Sequence, residues 1–273
     1  MSDTARLQAY LQRIGYAGSL EPNLVTLVAL HREHLNAVPF ENLDVQFGAP
    51  PDLNLDTIFD KLVMRGRGGW CYEMNGVFGW VLKEIGFEVT RIAGGVMRQS
   101  RGDEQSGTHL CLIVTLDRDY LVDVGFGGAL VTPIPLQVGE HNRPPFKVAL
   151  SDAGNGYWRY SERAEGEPFS FDFRAEPADE KLLDTKCAWQ GSDPSSNFTN
   201  NLVVQKRFGS QHVVLRGRIL KATGAASGGA TLINSAEELV STLKNVFGLD
   251  VPESVTLWPK VSNRHARLFD GEV

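Results

Sequence analysis

Arg67-Gly68-Gly69-Trp70-Cys71-Tyr72-Glu73 is the stretch on which the reading of this chain turns. Two glycines lead into a cysteine. From there Met74, Val77, Phe78, Val81, Leu82 and Ile85 recur at the spacing of an amphipathic helix, and Gly86 follows as a C-terminal stop. Cys71 therefore falls in the first turn of a helix, where unpaired N–H groups and the positive end of the dipole favour a thiolate. A nearby imidazolium would favour it further. The glycines are expected to let the backbone turn tightly and to leave the sulfur uncovered. A free cysteine is more often buried and inert, but the glycines and the helix start tip the reading toward a nucleophile.

The rest of the chain narrows the class. Its 273 residues carry a net charge of -6 with no basic block and no acidic run, so nonspecific nucleic-acid binding is not indicated. No window approaches the roughly 20 apolar residues of a membrane span. The opening Met1-Ser2-Asp3-Thr4 lacks the basic and apolar character of a signal peptide, and a cytoplasmic protein is expected. Cys71, Cys111 and Cys187 have no framework spacing and fit a reducing compartment rather than a disulfide scaffold. No metal is expected. Cys-x-x-Cys is missing, and the close pair His31 and His34 sits on a helix with no third ligand in view. That pair is expected on a solvated or partly buried helix face.

Upstream of the cysteine the pattern is helical. Asp3 is expected to cap a helix carrying Leu7, Tyr10, Leu11 and Ile14, stopped by Gly15. A second helix is expected to start near Glu21-Pro22, to bury Leu24, Leu27, Val28 and Leu35, and to end before Pro39. Pro39-Phe40-Glu41-Asn42-Leu43 reads as a loop holding one acidic group, and Asp56 can cap a short helix through Phe59, Leu62 and Val63. Residues 1–86 are thus read as a helical first domain.

Downstream the period changes. Residues 87–97 are rich in β-formers and broken by Gly94-Gly95, and 98–107 read as a loop. Residues 108–116 alternate, with His109, Cys111 and Ile113 on one face, and 120–124 form the next strand before Gly125-Phe126-Gly127-Gly128. Further short strands near 146–150, 157–160 and 169–173 predict an antiparallel barrel or sandwich over 87–190. Gly191-Ser192-Asp193-Pro194-Ser195-Ser196 reads as a link to a mixed α/β part, 191–273. This part has strand signals near 202–205 and 212–220, a flexible loop at 222–229, and a helix that Ser235 starts and Gly248 ends.

A nucleophilic thiol needs a base, and the base needs an orienting group. His109 on its strand and Asp123 in the apolar run Tyr120-Leu121-Val122-Asp123-Val124 are the candidates. Burying Asp123 is costly unless it is paired, and a histidine would solve that cost. Taken singly, His109 also reads as a satisfied strand histidine and Asp123 as a turn-capping residue. A tight hairpin centred on Arg118 would pair Asp123 with Ile113, about four residues from His109. A bulge, a bend or the end of a closed barrel would have to bring them together.

With these residues in view, the chain resembles the arylamine N-acetyltransferases, and in length the bacterial ones. Arg67-Gly68-Gly69-Trp70-Cys71 is similar to that family's Arg-Gly-Gly-x-Cys signature. Thr108-His109 and Asp123-Val124-Gly125-Phe126-Gly127 match its histidine and aspartate motifs, and Pro39-Phe40-Glu41-Asn42-Leu43 its N-terminal motif. Ser196-Asn197-Phe198-Thr199-Asn200-Asn201-Leu202 resembles the segment entering its third domain. The resemblance implies an α+β multidomain fold of helical bundle, antiparallel β-barrel and α/β lid around a cysteine-protease-like Cys-His-Asp core. It implies acetyl-coenzyme A as a co-substrate that is not permanently bound. The acceptor would be an arylamine, arylhydrazine or N-hydroxyarylamine, reached by a ping-pong route through acetyl-cysteine. By match to the motifs, Cys71 is the nucleophile, His109 its base and Asp123 the orienter. Arg67 and Glu41 match an ion pair bracing the active-site loop. Thr108, Gly125, Phe126, Gly127 and Gly128 match cofactor contacts, while Phe40, Phe126 and Phe198 match the acceptor pocket. A cysteine-dependent hydrolase, a transglutaminase-like acyl transferase and a non-catalytic coenzyme A-binding protein are the alternatives. Nucleic acid and membrane are not expected partners, and monomer and homodimer both stay open.

Overall fold

The structure, a computed structural model, describes residues 1–143, 145–164, 166–224 and 229–269. The helix Cys71–Ile85 forms where its apolar spacing predicts. Val77, Phe78, Val81 and Leu82 are wholly buried, and Gly86 closes the ladder in the left-handed region at φ 106. Helices Asp3–Ile14 and Leu55–Phe59 pack against it.

Helix starts depart from expectation for one reason, that the capping side chain stands just outside the helix. Ser2, not Asp3, accepts from Ala5 N–H; Asn23, not the Glu21-Pro22 pair, caps Leu24–Ala37; Asn54, not Asp56, caps Leu55–Phe59, which runs on into the π-helical turn Asp60–Met64. The buried face of Leu24–Ala37 is also different. It is made by Thr26, Leu27, Leu30, His31 and His34, leaving Leu24 exposed and Val28 and Leu35 only half-buried. Both histidines are fully buried, which corrects the expected solvated or partly buried face. Each has a partner: His34 Nδ1 meets the Tyr10 hydroxyl at 2.6 Å, and His31 Nε2 meets the Asp123 carbonyl at 3.0 Å.

After the short β1 (Phe40–Glu41), eight strands form one antiparallel sheet. They are β2 (Glu88–Val96), β3 (Ser106–Thr115), β4 (Asp119–Val122), β5 (Ile134–Pro135), β6 (Gly139–Arg143), β7 (Phe146–Gly154), β8 (Tyr157–Arg163) and β9 (Phe169–Phe173). The order β5-β4-β3-β2-β9-β8-β7-β6 curls into a nearly closed barrel. A second sheet, β1-β10-β11-β12-β13, adds β10 (Val203–Phe208), β11 (Gln211–Arg216), β12 (Ile219–Thr223) and β13 (Thr231–Leu232). The segment read as a loop at 39–43 is therefore partly strand, since β1 pairs with β10 before helix Leu43–Gln46 begins.

Strand β3 divides two cores. Cys111 and Ile113 point into the barrel with Phe126, Phe171 and Phe173, while Leu110, Leu112 and Val114 face the helices. This is the period-two alternation read from the sequence. A third core joins Val204 and Leu215 to Leu239, Leu243 and Phe247 of the C-terminal part. Helix Glu180–Ser192, which the sequence reading did not anticipate, packs on β3 and takes in the start of the expected 191–196 link. Residues 98–107 hold a helical turn, Arg98–Arg101, and a 3-10 turn, Asp103–Gln105. The expected strand at 212–220 is two strands, because Gly217 turns the chain at φ 58. The expected loop at 222–229 falls partly on β12 and partly on residues 225–228, which lie outside the described residues. Ser235 caps helix Ala236–Asn245. No helix among the described residues is long and apolar enough to cross a membrane.

The loop leading to Cys71 is fixed by a cluster of buried charges. Arg67 Nη2 lies 2.7 Å from Glu41 Oε1 and 2.9 Å from Asp44 Oδ1. Lys61 Nζ lies 2.7 Å from Asp44 Oδ2 and 2.9 Å from Glu73 Oε1. Glu73 Oε2 in turn accepts from the Trp70 N–H at 3.0 Å, satisfying an orphan donor at the start of the nucleophile helix. Glycines 68 and 69 have ordinary φ and do not make the tight turn expected of them. They let the loop approach its neighbours: a Cβ at 68 would strike the Pro39 carbonyl, and one at 69 would lie 2.9 Å from Glu73. Burial opposes the charge on Lys61, but Glu41, Glu73 and Asp44 outweigh it and hold the ammonium firmly protonated. Burial also pushes the Glu73 carboxyl up to about 7, against the pull of Lys61.

Replacing Lys61 by Met would leave Glu73 buried with no cation. We expect a loss of ~3–5 kcal/mol in urea unfolding at pH 8, the usual cost of removing one partner of a buried pair. The native carboxyl then titrates above its unfolded value, so the native state takes up the extra proton as pH falls. The deficit should therefore be smaller at pH 6 than at pH 8. A Lys61→Met variant as stable as the wild type at pH 8 would remove the charge cluster from the account of this loop.

Candidate active site

Cys71 begins its helix against the turn after β4, with Gly125 packed on it so closely that a Cβ there would lie 2.5 Å from the Cys71 Cα. Tight packing thus covers a sulfur that was expected to be uncovered, and Cys71 is 4% exposed. His109 Nε2 lies 2.6 Å from Asp123 Oδ2, and both side chains are buried. With Nε2 taken, the other ring nitrogen is left to face Cys71, whose charge acts on the ring.

The register of the barrel explains the His109–Asp123 contact. The β3–β4 hairpin turns at Asp117, one residue earlier than expected, so that Leu112 faces Val122 and Ile113 faces Leu121. Asp123, one step past the end of β4, then lies beside Cys111 on the face His109 shares. It is the diagonal neighbour of His109, and diagonal pairs stand about 7–8 Å apart, within reach of two polar side chains. The strand pairing stops at Val122, and Asp123 Oδ1 accepts from the Gly125 N–H at 2.8 Å in a tight local turn.

Asn75 completes the assembly, and sequence reasoning missed it. One turn along from Cys71, its Nδ2 donates to Asp123 Oδ1 at 2.8 Å and to the Leu110 carbonyl at 2.7 Å, while its Oδ1 accepts from Val124 N–H at 3.0 Å. The available signal was a polar residue on the buried stripe of an apolar helix, where partners are obligatory. Tyr72, Gln190 and Thr108 form a second brace. Gln190 Nε2 donates to the Tyr72 hydroxyl and to the Thr108 carbonyl. The hydroxyl of Thr108, matched above to a cofactor contact, donates to the Gln105 carbonyl at 2.6 Å.

Electrostatics sort the titratable groups. Burial alone would lower the His109 pKa, but the Asp123 carboxylate, with Cys71 adding to it, overcomes this and raises it to about 10, so the ring carries a proton at neutral pH. Burial pushes the thiols of Cys111 and Cys187 up, which leaves both inert. Burial lowers His31 to about 4 even beside Asp123, and His34 to about 3, so both stay neutral.

The other expected residues fall into two groups. Phe126 stacks on Phe169 at 4.5 Å and meets the edge of His109 at 5.2 Å. Phe40 and Phe198 lie together, 6.1 Å apart, with Trp70 5.6 Å from Phe198. At Gly127 and Gly128 the space a Cβ would need is filled by the chain's own Glu162 and His212. Close internal packing therefore already requires glycine there. Glu162, also missed, is buried and accepts from the Gly128 and Ala129 N–H groups.

An N-acetyltransferase family model matches residues 23–256 of this chain. The arylamine N-acetyltransferase of Mycolicibacterium smegmatis is 37% identical over 256 residues, covering 90% of this chain and 92% of that protein. The chain belongs to the arylamine N-acetyltransferases. Solved structures agree with the assignment. The Mycobacterium marinum enzyme superposes with a TM-score of 0.87 at 32% identity, over 94% of this chain and 98% of that one. Its complex with CoA gives 0.86 at 31% identity over the same shares of 94% and 98%. Membership carries the fold with it: this arylamine N-acetyltransferase has the cysteine-protease-like α+β architecture of its structural neighbours.

The His109 shift sets a sign for stability. A pKa raised from 6.5 to about 10 adds stability that is complete below pH 6.5 and lost as pH climbs through 10. Asp123→Asn removes the charge that raises it. The difference in melting temperature between the wild type and Asp123→Asn should be largest near pH 6 and narrow steadily toward pH 10. A difference independent of pH would overturn the buried His109–Asp123 ion pair.

Proposed function

We propose that Cys71 is the acetyl carrier of this arylamine N-acetyltransferase, with His109 as its acid–base partner and Asp123 as the group that orients and charges the ring. The observation that carries the reading is the buried 2.6 Å bond between His109 and Asp123, with Cys71 at its helix start acting on the same ring. The charge held on His109 complements a thiolate at Cys71. That thiolate attacks the carbonyl carbon of acetyl-coenzyme A, forming one C–S bond as the bond to coenzyme A breaks. The departing thiolate takes the His109 proton. In the second half, the nitrogen of an arylamine or arylhydrazine attacks acetyl-Cys71, neutral His109 takes the amine proton, and the ion pair re-forms. The Cys71 N–H, at the helix start, is the candidate donor to the oxyanion in both halves.

The ion pair of Arg67 with Glu41 braces the nucleophile loop in this reading. Phe40, Phe126 and Phe198 supply apolar walls for the acceptor, and the 125–128 turn lies along the coenzyme A path. A division into helical bundle (1–86), barrel (87–190) and α/β lid (191–273) belongs to the same proposal. It is supported by the three apolar cores, with helix Glu180–Ser192 leaning on the helical one. Three free thiols suit a reducing cytoplasm.

Acetyl-coenzyme A without an amine should release about one coenzyme A per active site in a burst, and mass spectrometry should find one acetyl group on the peptide carrying Cys71. An arylamine should then discharge it, and initial rates should give parallel double-reciprocal lines. Continued release of coenzyme A without amine would identify a hydrolase, and no release a binding protein. Intersecting lines with unmodified Cys71 would remove the nucleophile assignment.

A further inference from the structure

The end of β3 that carries His109 is held in place without a complete strand ladder. On one side, β4 pairs with β3 only over Leu112 to Thr115, short of His109. On the other side the register with β2 slips, so that Gly94 faces His109 while Gly95 faces Ser106. Gly107 and Thr108 lie in the resulting bulge, with Gly107 at φ 82. The apolar side chains between this strand and the nucleophile helix, Leu110 and Leu112 against Val77 and Phe78, set a spacing. Such contact is non-directional and does not by itself fix where along the helix the strand stands.

Side chains supply the direction. The Tyr72 hydroxyl donates to the Gly107 carbonyl at 2.6 Å, Gln190 Nε2 to the Thr108 carbonyl at 2.8 Å, and Asn75 Nδ2 to the Leu110 carbonyl at 2.7 Å. Tyr72 and Asn75 belong to the nucleophile helix, but Gln190 comes from the last turn of helix Glu180–Ser192. Its Nε2 also donates to the Tyr72 oxygen at 2.7 Å, which is free to accept because Tyr72 has given its own proton to Gly107. One buried amide is therefore bonded to the residue after Cys71 and to the residue before His109. The amide is itself anchored from outside the pair. The Gln190 carbonyl accepts from the Ser196 hydroxyl at 2.6 Å, and Leu182 of the same helix fills the space beside Gly107.

We infer that Gln190 is a positioning residue for the transfer reaction, tying the backbone before His109 to the side chain after Cys71 so that imidazole and thiol keep their alignment. The inference rests on the acetyl-Cys71 reading above. Gln190 touches neither reacting group and exchanges no proton with them; it acts through Tyr72 and Thr108. Asp123 fixes which way the ring of His109 turns, and Gln190 fixes where the strand beneath the ring stands against the helix of Cys71. Proton transfer between thiol and imidazole is sensitive to that distance, and a displacement of about 1 Å can cost on the order of 100-fold in rate.

The test uses Gln190→Met, which keeps the length of the side chain and removes both donors, and Tyr72→Phe, which leaves the Thr108 bond in place and disturbs the fold less. Ser254→Ala serves as the control for stability alone, since its buried hydroxyl donates to the Val251 carbonyl at 2.6 Å in the C-terminal part. Two readouts are taken beside the melting temperature: the rate of the coenzyme A burst against acetyl-coenzyme A concentration, and the pH dependence of Cys71 alkylation by iodoacetamide. In Gln190→Met the maximal burst rate should fall about 10- to 100-fold, with the half-saturating acetyl-coenzyme A concentration little changed. The alkylation profile should move to higher pH, because a displaced imidazolium favours the thiolate less. Tyr72→Phe should show the same pattern at smaller size, and Ser254→Ala should lower the melting temperature without either change. Wild-type burst rates and alkylation profiles in both site variants would overturn the inference. So would losses no greater than those of Ser254→Ala, or a loss confined to the half-saturating concentration. A wild type that gives no acetyl-Cys71 burst at all would instead defeat the underlying mechanism.

Discussion

The structure around the active site depends on the burial of one carboxylate. Asp123 is 1% exposed at the end of an apolar strand, where an unpaired charge would cost several kcal/mol. Its Oδ1 receives the Asn75 amide and the Gly125 N–H, its Oδ2 receives His109, and its carbonyl meets His31. These donors come from two helices, strand β3 and the turn after β4. Meeting the needs of one anion thus fixes four separate pieces of chain relative to each other. It also places Cys71 beside the ring of His109, because Asn75 and Cys71 share a helix face one turn apart.

A second cluster of buried charge does the same for the approach to the nucleophile. Glu41, Asp44, Lys61, Arg67 and Glu73 link the segment at β1 to the π-helical turn and to the helix start. Hydrophobic residues of similar volume could give comparable stability. What ions add here is direction: each partner reaches its neighbour along one line. The Trp70 N–H, bound by Glu73, then starts the helix at a fixed residue. The oxyanion role given to the Cys71 N–H needs that start to be fixed, since a slip of one residue would turn the thiol away from His109.

How much of this was legible in the sequence follows from what each residue needs. The helix after Cys71, its stop at Gly86 and the two faces of β3 were readable because apolar periodicity is a local signal of burial. Asp123 was readable because an acid in an apolar run requires a partner. The helix starts at Asn23 and Asn54 were mistaken for nearby Pro22 and Asp56, since several residues there have capping character and only the backbone turn selects one. His31 and His34 were misjudged because histidine counts as polar until a partner is known, and their partners are 92 and 24 residues away. The hairpin centre was misplaced by one residue. In a strand pair that error moves a cross-strand neighbour by two, which made the His109–Asp123 contact look harder to reach than it is.

The same accounting separates groups whose partners folding supplies from groups that it leaves with open donors. Both oxygens of Asp123 and of Glu162 find donors inside the chain, as do those of Glu73. Such groups are finished by folding and need nothing from a substrate. The glycines of the 125–128 turn answer to packing as well, because the spaces beside them are filled by Cys71, Glu162 and His212. Arg207 differs from them: it is buried and charged, its Nε and Nη1 have no hydrogen-bond partner, and its guanidinium lies over the Phe146 ring. A buried donor left open in this way costs stability, which the contact with the ring offsets in part. That asymmetry sets the reading apart from one based on motif alone. The signature residues around Cys71 are read for the reaction, and the donors that folding leaves open are read for where stability is given up.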